Sequence, residues 1–297
     1  MKATTLCSLI ASLLACMLFC GCARQEGLEG RNRIAIGTFN IAWLGDGRQD
    51  NTPRTTEEYR RIAETIKQTG ADVLGLEEIE NAAALDSVLV HLPGFERFVG
   101  TRGREQNVAV IYRRGIDVKV TGEYMPVAIR EGRNRPGLVL QCKAGNFDWM
   151  MMVVHFKSTS RFDSTAEMRE DSRAVRRQQA EKVRDWAQEI IAKNGEKDII
   201  VVGDFNDYPA RTKDPTLTAL VSSGILNFLT ADMISCRNKN WKVIDHIAVS
   251  SSARTRYIDG TLFMWNVYDQ YPEEVAEKIS DHCPIVAQFD IAAEDND

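Results

Sequence analysis

The feature that most limits how this chain can fold is a series of short apolar runs, each ending on a polar group able to do chemistry. Asn40 closes the run in TFNIAW, Glu78 follows DVLGLE and His155 follows MMMVV. Asp204 and Asn206 follow IIVVG, Asp245 sits in VIDHI, and Asp281 and His282 precede the last run in SDHCPI. A short continuous stretch of Ile and Val suits a strand buried on both faces of a covered sheet. Rigid strands hold whatever stands at their ends in a fixed place, which is a common way to build a site.

The remaining pattern agrees with layers of strands and helices. Strands are expected over residues 33–41, 72–76, 107–112, 137–141, 147–155, 198–202, 241–249 and 285–291. A helix is expected over 55–69: Thr55 and Glu58 have capping-box spacing, Tyr59, Ile62, Ala63 and Ile66 share one face, and Gly70 ends it. A second, over about 172–193, turns Val183, Trp186, Ala187, Ile190 and Ile191 to the core and stops at Gly195. This mixture predicts an α/β (α+β) layered domain. At 297 residues, 44% hydrophobic and 27% charged, the chain is excluded from the collagen-like, low-complexity and disordered classes. One domain over 33–293 with an acidic tail at 294–297 accounts for the body. The net charge of −5 argues against a general coat for polyanions but leaves room for local basic patches.

The first residues are not read as part of the fold. Lys2 is the only charge before Arg24, and residues 6–19 are apolar or small, which is the pattern of a secretory leader. The run falls short of the roughly 20 residues that a spanning helix needs. Gly21-Cys22 at its end resembles a bacterial lipoprotein cleavage site, with Cys22 as the lipidated residue. Residues 1–22 are therefore expected to be a lipoprotein-type signal and 23–32 a tether. The product would be an exported lipoprotein anchored in a bacterial envelope, periplasmic or at the cell surface. Cys16 fits the same pattern, and an ordinary cleaved signal is the alternative. Four of the seven cysteines lie in this leader; Cys142, Cys236 and Cys283 remain, enough for at most one disulfide within the chain, and their spacing is not that of a zinc site.

Each polar motif alone is weak, because a Gly-Asp-Phe-Asn turn is usually only a turn. Together and in this order, FNIAWL, DVLGLEEIE, QNVAVIYR, VVHFKS, GDFND, IDHI and SDHCPI resemble the endonuclease/exonuclease/phosphatase superfamily of metal-dependent phosphoesterases. The resemblance spans residues 38–286 and implies a four-layer sandwich, two packed mixed β-sheets flanked by helices, with the site at one end of the sheets. It implies Glu78 as principal metal ligand, supported by Asn40 and Asp281. Asp204 and Asn206 would orient the attacking water and hold the phosphate. His282 would move a proton, with Asp245 fixing its tautomer. His155 would bind a phosphate oxygen, or protonate the leaving group in a two-histidine scheme. Gln106 stands where deoxyribonuclease has a carboxylate that supports that second histidine, and Lys157 is the best single candidate for phosphate contact. Whether Asp204 or His282 takes the proton from water is left open at this point.

An all-oxygen set of Glu, Asp and Asn suits Mg²⁺ or Mn²⁺, with Ca²⁺ also accommodated. Glu77, where the family usually has Gln, and Glu80 are read as supporting or solvated, His246 as structural, and His91 as a surface residue. Ala42 replaces an Asp usual in AP endonucleases, and WKVIDHI lacks the Trp-Cys-Asp-Arg of inositol polyphosphate phosphatases. Three groups of basic residues fit a polyanion passing the site: Arg102, Arg104, Arg113 and Arg114; Arg130, Arg133 and Arg135; and Lys157 with Arg161, Arg169, Arg173, Arg176 and Arg177. Solvated or salt-bridged arginines are the alternative. The expected function is a secreted nuclease acting on DNA or RNA, with nucleic acid as partner, the membrane reached through the lipid anchor, and no obligate protein partner. The alternatives are a phosphatase or sphingomyelinase-like phospholipase, and then a non-catalytic binding lipoprotein.

Overall fold

The computed structural model describes residues 30–48, 50, 53–160 and 162–295. The expected leader, the lipidation site Cys22 and the tether as far as residue 29 lie outside the described residues.

The chain starts as β1 (Arg33–Leu44), crosses over through α1 (Thr56–Thr69) and returns parallel to it as β2 (Val73–Ile79). Helix α2 (Ala82–Leu89) and strand β3 (Phe95–Val99) precede β4 (Asn107–Arg113), which lies antiparallel between β2 and β3. The second half uses the same device. Strands β5 (Asp117–Tyr124), β6 (Gly137–Ala144) and β7 (Phe147–His155) form a meander. Helix α3 (Ala166–Asn194) then crosses over, and β8 (Ile199–Asp204) returns parallel to β7. Next come α4 (Thr218–Ser222), β9 (Asn227–Phe228), β10 (Asp245–Val249) and α5 (Ser251–Arg256). Strand β11 (Phe263–Met264), the one-turn helices α6 (Val267–Gln270) and α7 (Glu273–Ala276), and β12 (Ile285–Asp290) end the fold.

The strands form two mixed six-stranded sheets, ordered β11-β12-β1-β2-β4-β3 and β5-β6-β7-β8-β10-β9. Three apolar clusters bind the layers. Ile36, Val110, Leu140, Met151, Val202 and Phe289 pack between the sheets. Ile62, Ile66, Leu74 and Leu85 fix α1 and α2 on one outer face, and Val183, Trp186, Val201 and Phe205 fix α3 on the other. The four-layer sandwich is therefore the observed architecture. Gly75 lets the sheets approach: a Cβ there would stand 2.6 Å from Val202 Cγ2 and 3.0 Å from Val153 Cγ1.

Helix α1 carries the expected capping box and ends at Gly70 in the left-handed region. Helix α3 begins six residues earlier than expected, because the Thr165 side chain accepts from the Met168 amide and starts the turn there. The strand expected over 241–249 is confined to Asp245–Val249. The two-residue strands β9 and β11 are not among the expected ones, and neither are the longer β3 and β5. The longer two are edge strands interrupted by polar residues, Glu96 and Arg97 in β3 and Asp117, Lys119 and Thr121 in β5, so neither shows a continuous apolar run. Both ends of the domain are tied down. Arg31 bonds both oxygens of the buried Asp72, and Arg256 donates to the carbonyls of Ala293 and Glu294.

Candidate active site

The two parallel crossovers bring the C-terminal ends of β1, β2, β7 and β8 to one end of the sandwich. Strands β10 and β12 run antiparallel to their neighbours, so their N-terminal ends arrive at the same rim. Register then aligns the polar groups. Asp204 is paired with His155 on one side and with Asp245 on the other, so the three occupy one rung.

The pleat decides which way they point. Val153, Val202 and Ile247 face the inter-sheet core, and the two-residue repeat puts His155, Asp204 and Asp245 on that same inner face. In the opposite sheet Ile34 and Ile36 do the same for Asn40. His246 must therefore face outward from this gap. It is fully buried against Phe205 and Phe228, with Nδ1 2.6 Å from Thr230 Oγ1 and Nε2 3.0 Å from the Asp207 carbonyl oxygen. Its structural reading stands.

Glu78 breaks the alternation. Leu74 and Leu76 face the helix layer, and a regular strand would send Glu78 the same way. Its φ of 63° turns the carboxylate inward instead. There Oε1 accepts from Asn40 Nδ2 at 3.5 Å and lies 3.8 Å from His155 Nε2, and Oε2 accepts from Gln106 Nε2 at 3.1 Å. Asn206 is also left-handed, at φ 51°, because the extended chain stops at Asp204. The turn folds its amide back onto Asp204, with N–Oδ1 at 2.8 Å and Nδ2–Oδ2 at 2.9 Å. Asp204 Oδ2 also accepts from Asn40 Nδ2 at 3.2 Å and lies 3.6 Å from His155 Nε2.

His282 reaches across from the β12 side. Its Nδ1 lies 2.8 Å from Asp245 Oδ2, which leaves Nε2 for the hollow. Ser280 braces it: the Ser280 hydroxyl accepts from the His282 amide at 2.9 Å and donates to the Asn40 carbonyl at 2.7 Å. A hollow of about 770 Å³ is bordered by Glu78, His155, Asp204, Asn206 and His282.

Crowded carboxylates and burial set the charges. Burial and the Asp245 carboxylate raise the Asp204 carboxyl to about 7. Burial alone would lower His282, but Asp245, their hydrogen bond and Asp204 hold it well above the ordinary histidine value. Burial, then Arg135 and His282, push His155 well below that value, and its buried Nδ1 has no hydrogen-bond partner. Glu77 is completely buried and not solvated. It accepts from the Thr38 hydroxyl at 2.9 Å, and burial followed by Asp245 raises its carboxyl well above the usual range. Carboxylates this close, held at the cost of raised protonation, fit a hard divalent cation as their countercharge. Asp204, Asp245 and His282 offer ligand atoms within 4.8 Å of one another. The 2.8 Å contact already occupies the facing atoms of Asp245 and His282. Glu78 is therefore the better-placed carboxylate ligand, with Asp204 beside it; Asn40, expected as a ligand, turns its Nδ2 to both acids and its Oδ1 to the Ala42 amide at 2.9 Å.

Other expected residues lie at the margin. Asp281 is 43% exposed and bound to Arg237 at 3.0 Å; it lines the hollow at its edge and lies 3.8 Å from His282 Nε2. Gln106 is half-buried and held by Arg135, so its amide serves Glu78 and not His155. Lys157 Nζ turns to Asp163 at 3.6 Å and to the Ser158 carbonyl. Glu80 accepts from the Asp46 amide. His91 is exposed. Among the described residues Cys236 and Cys283 form the one disulfide, and Cys142 is a buried free thiol.

Two residues at the rim carry no sequence signal that marks them. Arg54 donates to the carbonyls of Ile41 at 2.7 Å, Ala42 at 2.9 Å, Trp43 at 3.3 Å and to that of Lys278. This clamp holds Ala42 and Trp43, both left-handed at φ 48° and 63°, just after Asn40. Trp43 is thereby turned outward, 40% exposed, at the border of the hollow.

Residues 37–282 match the family model described as "Endonuclease/Exonuclease/phosphatase family". No curated protein matches the chain in sequence. Solved structures do match in fold. Truncated TDP2 of Caenorhabditis elegans aligns with a TM-score of 0.62 at 18% identity, covering 87% of this chain and 98% of that one. A mannosyl-6-phosphatase of Bacteroides thetaiotaomicron aligns at 0.59 and 16%, covering 86% and 98%. The human nocturnin catalytic domain, with a bound sulfate anion, aligns at 0.59 and 18%, covering 87% and 94%.

Proposed function

The chain belongs to the endonuclease/exonuclease/phosphatase family, whose members are divalent-metal-dependent phosphoesterases, and from that premise we propose that it is a secreted phosphodiesterase that hydrolyses DNA or RNA. One observation carries the reading: the His282–Asp245 pair stands beside Asp204 and Glu78, which are bridged by the Asn40 amide nitrogen, around a single hollow. A pure binding protein has no use for a buried carboxylate orienting an imidazole beside two further crowded acids, Glu78 and Asp204.

Glu78 would hold Mg²⁺ or Mn²⁺, which would neutralise the phosphate charge and stabilise the leaving oxygen. Asp204, with both oxygens fixed by the Asn206 and Asn40 amides, is placed to orient the attacking water and receive its proton. Asp245 holds His282 in one orientation and keeps its proton, so the imidazolium stabilises the charge growing on phosphorus oxygens. Neutral His155, with Nε2 toward Asp204 and Glu78, donates to a phosphate oxygen from the far side. Asp281 holds Arg237 at the edge of the hollow, where that cation meets the substrate.

Export and lipid anchoring are part of the proposal. They rest on the leader with Gly21-Cys22 and on the Cys236–Cys283 disulfide, a bond that persists in oxidising compartments. Among the described residues no helix is long and apolar enough to cross a membrane. The test of the activity is a panel of plasmid DNA, RNA, sphingomyelin, inositol phosphates, a sugar phosphate and bis-p-nitrophenyl phosphate with Mg²⁺ or Mn²⁺. Nucleic acid should be cleaved. Turnover of lipid or monoester with plasmid and RNA untouched would replace the nuclease reading with the phosphatase or phospholipase one. Fatty-acid labelling that survives Cys22→Ser would remove Cys22 as the anchor.

A further inference from the structure

The arginines outside the metal site sort into two kinds. Most are committed to the fold. Arg113 pairs with Asp72, Arg114 with Glu96, Arg130 with Asp171, and both Arg173 and Arg177 with Glu170. Arg176 is buried and donates to the Lys157 carbonyl and to Thr159. Arg102, Arg104 and Arg133 differ. All three are exposed, and among the described residues none is ion-paired.

These three line one pocket of about 280 Å³, and Trp43 lines it too. The pocket is built from two fitted loops. Gly103 packs where a Cβ would stand 3.0 Å from Arg135 Cγ, and Gly132 where one would stand 2.9 Å from Arg104 Nη2. Buried Asn107 locks the first loop by donating to the Arg104 and Glu80 carbonyls and accepting from the Gly103 amide. Arg135 joins the second loop to Gln106, which bonds Glu78. The indole of Trp43 borders both this pocket and the hollow above Glu78. It is held in a strained left-handed conformation that buries nothing of the core, and the Arg54 clamp maintains it.

We propose that the Trp43–Arg102–Arg104–Arg133 pocket is a second subsite that takes the phosphate and base adjoining the scissile phosphodiester, and that the substrate is a single-stranded polynucleotide. This rests on the phosphodiesterase reading above and narrows it. A flat aromatic face accepts a base only when that base is unstacked, which a single strand offers and a duplex does not. Three free guanidinium groups beside it hold the neighbouring backbone phosphates. A phosphomonoester with one anionic group, already taken by the metal site, would leave all three unused.

The test measures binding of a fluorescein-labelled 12-nucleotide oligothymidylate, and of a duplex of the same length, to the full chain in EDTA, by anisotropy over a range of salt. The single strand should bind more tightly than the duplex. Trp43→Ala should weaken it by about tenfold and leave the salt slope as it was. The double variant Arg102→Ser/Arg133→Ser should weaken it and flatten the slope by about 1.4. Both should lose more kcat/KM on the oligonucleotide than on bis-p-nitrophenyl phosphate, and thermal melting checks that they fold. Equal duplex and single-strand binding, or a Trp43→Ala protein that binds as the parent does, overturns the subsite. Hydrolysis of bis-p-nitrophenyl phosphate without single-strand binding overturns the subsite alone. Single-strand binding without hydrolysis of any diester supports the subsite and overturns the activity.

Discussion

His282 Nδ1 lies 2.8 Å from Asp245 Oδ2, joining the segment before β12 to the first residue of β10 in the opposite sheet. The carboxylate fixes the tautomer and keeps the ring charged. Asp245→Asn preserves the shape but removes that charge. It should cut kcat by about 10²- to 10⁴-fold with the fold intact. Steady-state kinetics on bis-p-nitrophenyl phosphate, with circular dichroism as control, reads this; near-parental kcat would rule out the pair.

Metal dependence follows from the crowding around Asp204, whose carboxyl is raised to about 7 by burial and Asp245. EDTA should abolish hydrolysis, and Mg²⁺ or Mn²⁺ should restore it. A cation that binds only the folded chain should also raise its stability, by about 2.7 kcal/mol at a hundred times Kd. Glu78→Gln should blunt both effects. A melting temperature and an activity that ignore chelation would reject the metal site.

Arg54 is a positioning residue, since it touches four backbone carbonyls and no part of the hollow's acids. Arg54→Ala leaves several of these carbonyls without a donor and should cost about 2–4 kcal/mol in urea unfolding. Lysine should rescue little, because one ammonium cannot replace the planar fork. A fully active and stable Arg54→Lys protein would contradict the clamp.

His246 predicts an acid limit to stability. Burial lowers its pKa to about 4, against an ordinary value near 6.5. The folded state therefore favours the neutral ring. That contribution is complete above pH 6.5 and is lost as pH falls toward 4, in total about 3 kcal/mol. Urea midpoints at pH 7, 5.5 and 4.5 should fall more steeply for the parent than for His246→Gln. Parallel curves would exclude the effect.

The Cys236–Cys283 bridge spans 47 residues and ends beside His282. Arg237, next to Cys236, pairs with Asp281 and Glu277. Replacing both cysteines with serine should cost up to about 4 kcal/mol. It should also lower kcat by loosening the segment that carries His282. Unchanged unfolding under reductant would show the bridge to be dispensable.

Some of this architecture is legible in local pattern alone. Thr55 and Glu58 announce the start of α1, Gly70 its end, and the Ile-Val run its burial as β8, because caps and alternation act within a few residues. The polar residues at strand ends, from Asn40 to His282, are likewise legible as a set. Their arrangement is not. The alternation of β2 points Glu78 toward the helices, and only its left-handed φ, in the packed sheet, turns it to Asn40 and Gln106. No spacing tells that Asp281 would be engaged by Arg237, that Cys236 would choose Cys283, or that Arg102, Arg104 and Arg133 would have no ion pair among the described residues while their neighbours found acids. Those outcomes depend on partners tens to hundreds of residues apart, and only the packing of the two sheets decides which of them come within reach.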